Sequence, residues 1–169
     1  MKLWCTSFEG FRKLLNDNNW DDNNLPDNVA FISICDTEKI NDESNYTYET
    51  HLLSDNHDNV INLDFDDIYG YSMIDIFPDD EMVIGNTTKG LTDKQAEQLY
   101  NFIETNIDKD IYVHCAAGIS RSQGIVRFIL DCYPDRENEM NPDNPCKYPN
   151  IHVVSLLKRQ YRKNIYKDE

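Results

Sequence analysis

The stretch Val29-Ala-Phe-Ile-Ser-Ile-Cys35 constrains the fold more than any other feature of the chain, because it is apolar almost without interruption. A strand wetted on one face alternates apolar and polar residues. A continuous run belongs to a strand covered on both faces, the usual state of parallel sheets flanked by helices. Val60–Phe65 and the short Ile111–His114 read as further strands, and Lys2–Cys5 suits an edge strand. Helical patterns lie between them. Phe8, Phe11, Leu14 and Leu15 predict a short N-terminal helix. Thr92 and Gln95 form a capping box ahead of Ala96, Leu99, Tyr100 and Ile103, which predicts a helix from about Asp93 to Thr105. Ser122–Cys132 reads as a helix buried on most sides. Asn150 can cap a last helix bearing Val153, Val154, Leu157 and Tyr161, with Lys158, Arg159, Arg162 and Lys163 toward its C-terminal end. This alternation predicts an α/β fold: a single three-layer domain over residues 1–169, its central, mostly parallel sheet flanked by helices. Two long segments, Asp36–Asn59 and Asp66–Lys89, carry neither pattern and read as irregular loops.

Charge narrows the partners. The 31 acidic side chains against 16 basic ones leave a formal net charge of −15, which repels nucleic acid and anionic membranes alike. No apolar run approaches the roughly 20 residues of a membrane span, and Met1–Gly10 has no secretory pattern. The five cysteines (Cys5, Cys35, Cys115, Cys132, Cys146) are odd in number and contain no CxxC pair. Reduced thiols in the cytoplasm are therefore expected, rather than a zinc site or a disulfide framework. Cys35 and Cys132 read as core residues.

The chemistry concentrates in Val113-His-Cys-Ala-Ala-Gly-Ile-Ser-Arg-Ser122. A buried strand ends at His114, a loop of small residues runs from Cys115 to Arg121, and a helix begins at once. Such a helix start turns several backbone N–H groups toward one point, an anion site reinforced by the helix dipole. Gly118 lets the chain turn closely, while Ala116 and Ala117 put no bulk in the way. Cys115 lies where those dipoles favour a thiolate. Arg121 can grip two phosphate oxygens with its planar fork. A thiolate beneath a cradled phosphoryl group is placed for in-line attack, giving a cysteinyl-phosphate. Arg121 and the amides of Ala116, Ala117, Gly118, Ile119 and Ser120 would stabilise the transition state. Ser122 can hydrogen-bond the thiolate and help it leave.

His114-Cys115-x5-Arg121-Ser122 resembles the HCx5R(S/T) signature of the protein tyrosine phosphatase superfamily. The form Cys-Ala-Ala-Gly-Ile-Ser-Arg-Ser is most similar to the compact dual-specificity branch, including small bacterial and phage-type members. Leu63-Asp-Phe-Asp-Asp67-Ile68, the Gln95-Ala96 helix and Pro149-Asn150 before Val153 resemble that branch too, so the likeness runs from about Val29 to Tyr161. It implies a cysteine-phosphatase fold and a loop-shaping rather than metal-binding role for His114. It also implies an aspartate on a nearby loop as general acid for the leaving oxygen. The Leu-x-Phe-x-Asp-Ile pattern selects Asp67. Its rival is Asp79 in Phe77-Pro-Asp79, which resembles the Trp-Pro-Asp loop of the larger tyrosine phosphatases and lies nearer Cys115 in the chain; Asp66, Asp75 and Asp80 come behind.

The expectation is therefore a cysteine-dependent phosphatase of phosphorylated proteins or peptides, phosphotyrosine first and phosphoserine or phosphothreonine if the pocket is shallow. Its loop should take phosphate, sulfate or vanadate, and no metal or organic cofactor is called for. The alternatives are a phosphoinositide or RNA 5′-phosphate phosphatase, a pseudophosphatase that only binds phosphate, and a rhodanese-like sulfur carrier. The first wants basic residues that Ala116–Ser120 lacks, and the Arg-Ser ending of the loop speaks against the last.

Overall fold

All seven residues of the Val29–Cys35 strand are buried, and successive side chains enter different cores. Ala30, Ile32 and Ile34 point into one cluster while Val29 and Phe31 point into another, as the two-residue period of a strand requires. A computed structural model describes residues 2–37, 50–68, 83–84, 88–134 and 147–166. In chain order the elements are β1 (Leu3–Ser7), α1 (Phe8–Asn18), β2 (Val29–Cys35), β3 (Val60–Asp64), β4 (Val83–Ile84), β5 (Thr88–Lys89), α2 (Asp93–Thr105), β6 (Asp110–Cys115), α3 (Arg121–Cys132) and α4 (Ile151–Ile165).

Among the described residues the main sheet has four strands in the order β1-β6-β2-β3, every neighbouring pair parallel. The latest strand in the chain thus sits between the first two, and His114 and Cys115 lie in the middle of the sheet's C-terminal edge. The larger core joins the sheet to α2, α3 and α4 through residues such as Leu99, Ile103, Ile125, Phe128 and Leu157. The smaller one joins the other face to α1 through Phe11 and Leu15. Helices therefore cover both faces, as the apolar run predicts. None of the described helices is long and apolar enough to cross a membrane.

Local chemistry sets the helix starts. The Ser7 hydroxyl accepts from Gly10 N at the head of α1, the Thr92/Gln95 capping box is complete, and Asn150 Oδ1 accepts from Val153 N. Boundaries differ from expectation by small amounts: β3 ends at Asp64, and α3 begins at Arg121 rather than Ser122. Part of the expected irregular stretch before Lys89 is ordered as the antiparallel β4–β5 pair. The described cysteines (Cys5, Cys35, Cys115, Cys132) are thiols. Cys35 is buried as expected; Cys132, expected in the core, is only half-buried at the end of α3 and packs against the core from its margin. Cys146 lies outside the described residues.

Candidate active site

β6 delivers Cys115 to the sheet edge, and Arg121 opens α3 at the far end of the loop. Both are buried, to 2% and 3% exposure. The Ser122 hydroxyl, fully buried in the first turn of α3, lies 3.2 Å from Cys115 Sγ. Along the loop Ala117 and Ile119 are exposed while Gly118 and Ser120 are buried, so the chain shows alternate residues to solvent.

The loop is braced from beneath by the start of the chain. Phe8 N donates to the Ala116 carbonyl at 3.1 Å. Gly118 has φ +70, and a Cβ there would stand 2.4 Å from the Thr6 carbonyl carbon and 2.5 Å from Ser7 N. Glycine is thus demanded both by the left-handed conformation and by the close passage of the β1 backbone, in addition to the free turning the sequence suggests.

Unlike the other three described helices, α3 has no side-chain cap. The Ser120 hydroxyl turns away and donates instead to Asp67 Oδ1 at 2.6 Å. The first amides of α3 are left without that partner, at the end where the helix dipole favours an anion.

Arg121 shows a divided pattern of partners. Nη1 donates to the Phe65 carbonyl at 2.7 Å and to Asp36 Oδ1 at 2.6 Å, whereas the buried Nε makes no hydrogen bond among the described residues. A buried N–H without an acceptor is disfavoured by about 1–3 kcal/mol. The guanidinium is therefore fixed at one edge and unsatisfied at another.

His114 lies fully buried behind Cys115, its ring stacked on Phe11 with centroids 4.4 Å apart. Nε2 shares a hydrogen bond with the Ser33 hydroxyl at 2.7 Å. Burial drives its pKa down to about 3, against an opposing contribution from the Cys115 backbone, and His51 and Arg121 lower it further. The ring is neutral at physiological pH and ties β6 to β2.

The neighbouring aspartates separate cleanly. Asp66 Oδ1 and Oδ2 accept from Thr37 N, the Thr37 hydroxyl and Lys89 N, at 2.7–2.9 Å. Burial works to raise its pKa, but those donors, with Arg121, outweigh it and hold the carboxyl below its ordinary value. Asp66 is thus a brace between chain segments and poorly suited to carry a proton. Asp67 is exposed and faces the loop, accepting from Ser120 Oγ and, at 2.7 Å, from Asn150 Nδ2. Asp79, Asp75 and Asp80 lie outside the described residues.

The structure therefore pairs Cys115 with Ser122 and Asp67 with Ser120, the two serines flanking Arg121 in the chain. Two contributors escaped the sequence reading. Asp36 holds Arg121, and Asn150 does more than cap α4: its Nδ2 also donates to the Ile68 carbonyl, and its N–H to the Ser120 carbonyl. The adjacency of Asp36 to the end of a buried strand was the only available signal for the first. Gln123 links the loop to a further segment, donating from Nε2 to the Gly118 carbonyl and accepting at Oε1 from Tyr148 N. Ile119 and Tyr148, 47% and 65% exposed, stand at either end of that link.

Compared with protein-family models, with curated proteins and with solved structures, the chain finds no match.

Proposed function

We propose that the chain is a cysteine-dependent phosphatase of phosphorylated proteins, with a cysteine-phosphatase-like fold and phosphotyrosine as its first substrate class. The observation that carries this reading is the buried Arg121, held on one edge by Asp36 and Phe65 and lacking an acceptor at Nε among the described residues, six residues along one loop from Cys115. A phosphoryl oxygen supplies the missing acceptor, and the uncapped amides of α3 supply donors to the others.

In the first step Cys115 Sγ, as thiolate, attacks phosphorus and the ester P–O bond breaks. Asp67 gives its proton to the departing oxygen. In the second step water attacks the cysteinyl-phosphate, Asp67 takes the water's proton, and the S–P bond breaks to release inorganic phosphate. The Ser122 hydroxyl steadies the departing thiolate. The exposed Ile119 and Tyr148 give the loop an apolar rim on which an aryl ester can rest.

The test is hydrolysis of an aryl phosphate and of a phosphotyrosine peptide by the parent chain and by Cys115→Ser. The variant should lose turnover and keep vanadate or phosphopeptide binding, since the amides and Arg121 are untouched. Turnover that survives the substitution overturns the mechanism. Binding by a parent that never turns over makes the chain a phosphate-binding module, and reaction with thiosulfate makes it a sulfur carrier.

A further inference from the structure

Beside the phosphate loop, the register of β2 and β3 sets Cys35 opposite Asp64 at the C-terminal ends of both strands. His51 returns over that pair. Its Nδ1 lies 3.6 Å from Cys35 Sγ and its Nε2 lies 3.0 Å from Asp64 Oδ1. The sulfur, one ring nitrogen and one carboxylate oxygen all fall within 4.8 Å of one another. Zinc binds sulfur at about 2.3 Å and imidazole nitrogen at about 2.0–2.1 Å, and a tetrahedral angle between those bonds gives an S···N edge of about 3.6 Å. The Cys35–His51 pair already has that edge.

We propose that Cys35, His51 and Asp64 form a binding site for a zinc-class divalent cation. The donor set selects the class. Thiolate and imidazole suit zinc and its transition-metal neighbours, whereas magnesium and calcium need cages of oxygen. Burial is graded across the site: Cys35 is buried, while the His51 and Asp64 side chains are 22% and 60% exposed. That leaves an entry path, and it leaves Asp64 free to turn from Nε2 toward a metal held by Sγ and Nδ1. Occupation of Nδ1 displaces its 2.7 Å hydrogen bond with Ser33, which retains its bond to His114. Coordination replaces the Cys35 S–H proton, which passes to solvent, with no change of oxidation state. Three protein ligands leave the fourth position to water. The site uses neither Cys115 nor Arg121 and stands whether or not the chain is a phosphatase.

The full chain carrying Cys115→Ser, which removes the loop thiol as a competitor, is titrated with cobalt(II) as a coloured substitute for zinc. One equivalent should bind with a thiolate-to-cobalt charge-transfer band, and zinc should abolish the band. Adding Cys35→Ser should remove it, whereas adding Cys132→Ser should leave it. Asp64→Asn and His51→Gln should each weaken binding about 10-fold or more, since even outer contacts to a metal ligand contribute about that much. Asp64 is exposed, so its variant decides the matter even if a buried Cys35 variant misfolds. Absence of a band at millimolar cobalt, a band that survives Cys35→Ser, or unchanged affinity in Asp64→Asn overturns the proposal.

Discussion

Arg121 sits with one edge of its guanidinium satisfied by protein and, among the described residues, its Nε without an acceptor, and lysine cannot reproduce that division. An ammonium has no fork: it can meet Asp36 and Phe65 or a ligand oxygen, but not both in plane. Arg121→Lys should lower turnover by about 10²–10³-fold, the range for losing one preorganised donor to a transition-state oxygen, as read by steady-state hydrolysis of an aryl phosphate. Asp67 is probed by the leaving group. Asp67→Asn should slow phosphotyrosine hydrolysis, whose phenoxide has a pKa near 10, by about 10²–10⁴-fold. An activated ester that leaves without a proton should suffer far less. If Asp79→Asn shows that dependence instead, the acid moves to the Phe-Pro-Asp segment. At this scale the geometry was legible where one short stretch holds a strand end, a loop and a helix start, as from His114 to Ser122. It was silent on Asp36 and on the Ser33–His51–Asp64 chain of contacts, because those depend on the register between strands far apart in sequence.

At the scale of elements, Asn150 couples a helix start to the site. Its Oδ1 caps α4 while Nδ2 serves Asp67 and the Ile68 carbonyl. Asn150→Ala loses the cap, worth about 1 kcal/mol, and leaves a buried carbonyl unpaired for about 1–3 kcal/mol more. A total loss of about 2–4 kcal/mol is expected in urea unfolding. Asn150→Asp keeps the capping oxygen but sets a second carboxylate against Asp67. It should recover part of the stability without recovering turnover of phosphotyrosine. Helix caps and strands were legible because they are local: the capping box, the Asn150 cap and the bounds of Val29–Cys35 and Asp93–Thr105 all match. The second duty of Asn150 was not, since the partners of Nδ2 lie more than eighty residues away.

For the molecule as a whole, acid should be destabilising for a specific reason. His114 has a folded pKa of about 3 against an ordinary value of 6.5. Between those values the unfolded chain binds a proton that the folded chain refuses, so stability falls as pH falls through that window, by up to about 1.4 kcal/mol per pH unit. His152 is lowered in the same direction, chiefly by burial. Asp66, held below 3.8, adds a loss of the same sign at still lower pH. Urea midpoints should therefore decline steadily from about pH 6.5 toward pH 4, and His114→Gln should flatten that decline. A midpoint independent of pH in wild type would mean that the folded chain takes up protons over that range as readily as the unfolded one, against a depressed His114. The sheet order carries one more consequence, for the birth of the protein. Among the described residues β1 pairs only with β6, and Lys2 and Asp110, joined by a hydrogen bond at that seam, are 108 residues apart. At ribosomal speeds of about 5–20 residues per second, the first strand waits about 5–20 s for its neighbour. The floor of the Cys115 loop is thus made well before it can be seated, so the loop can set only once the sheet has closed.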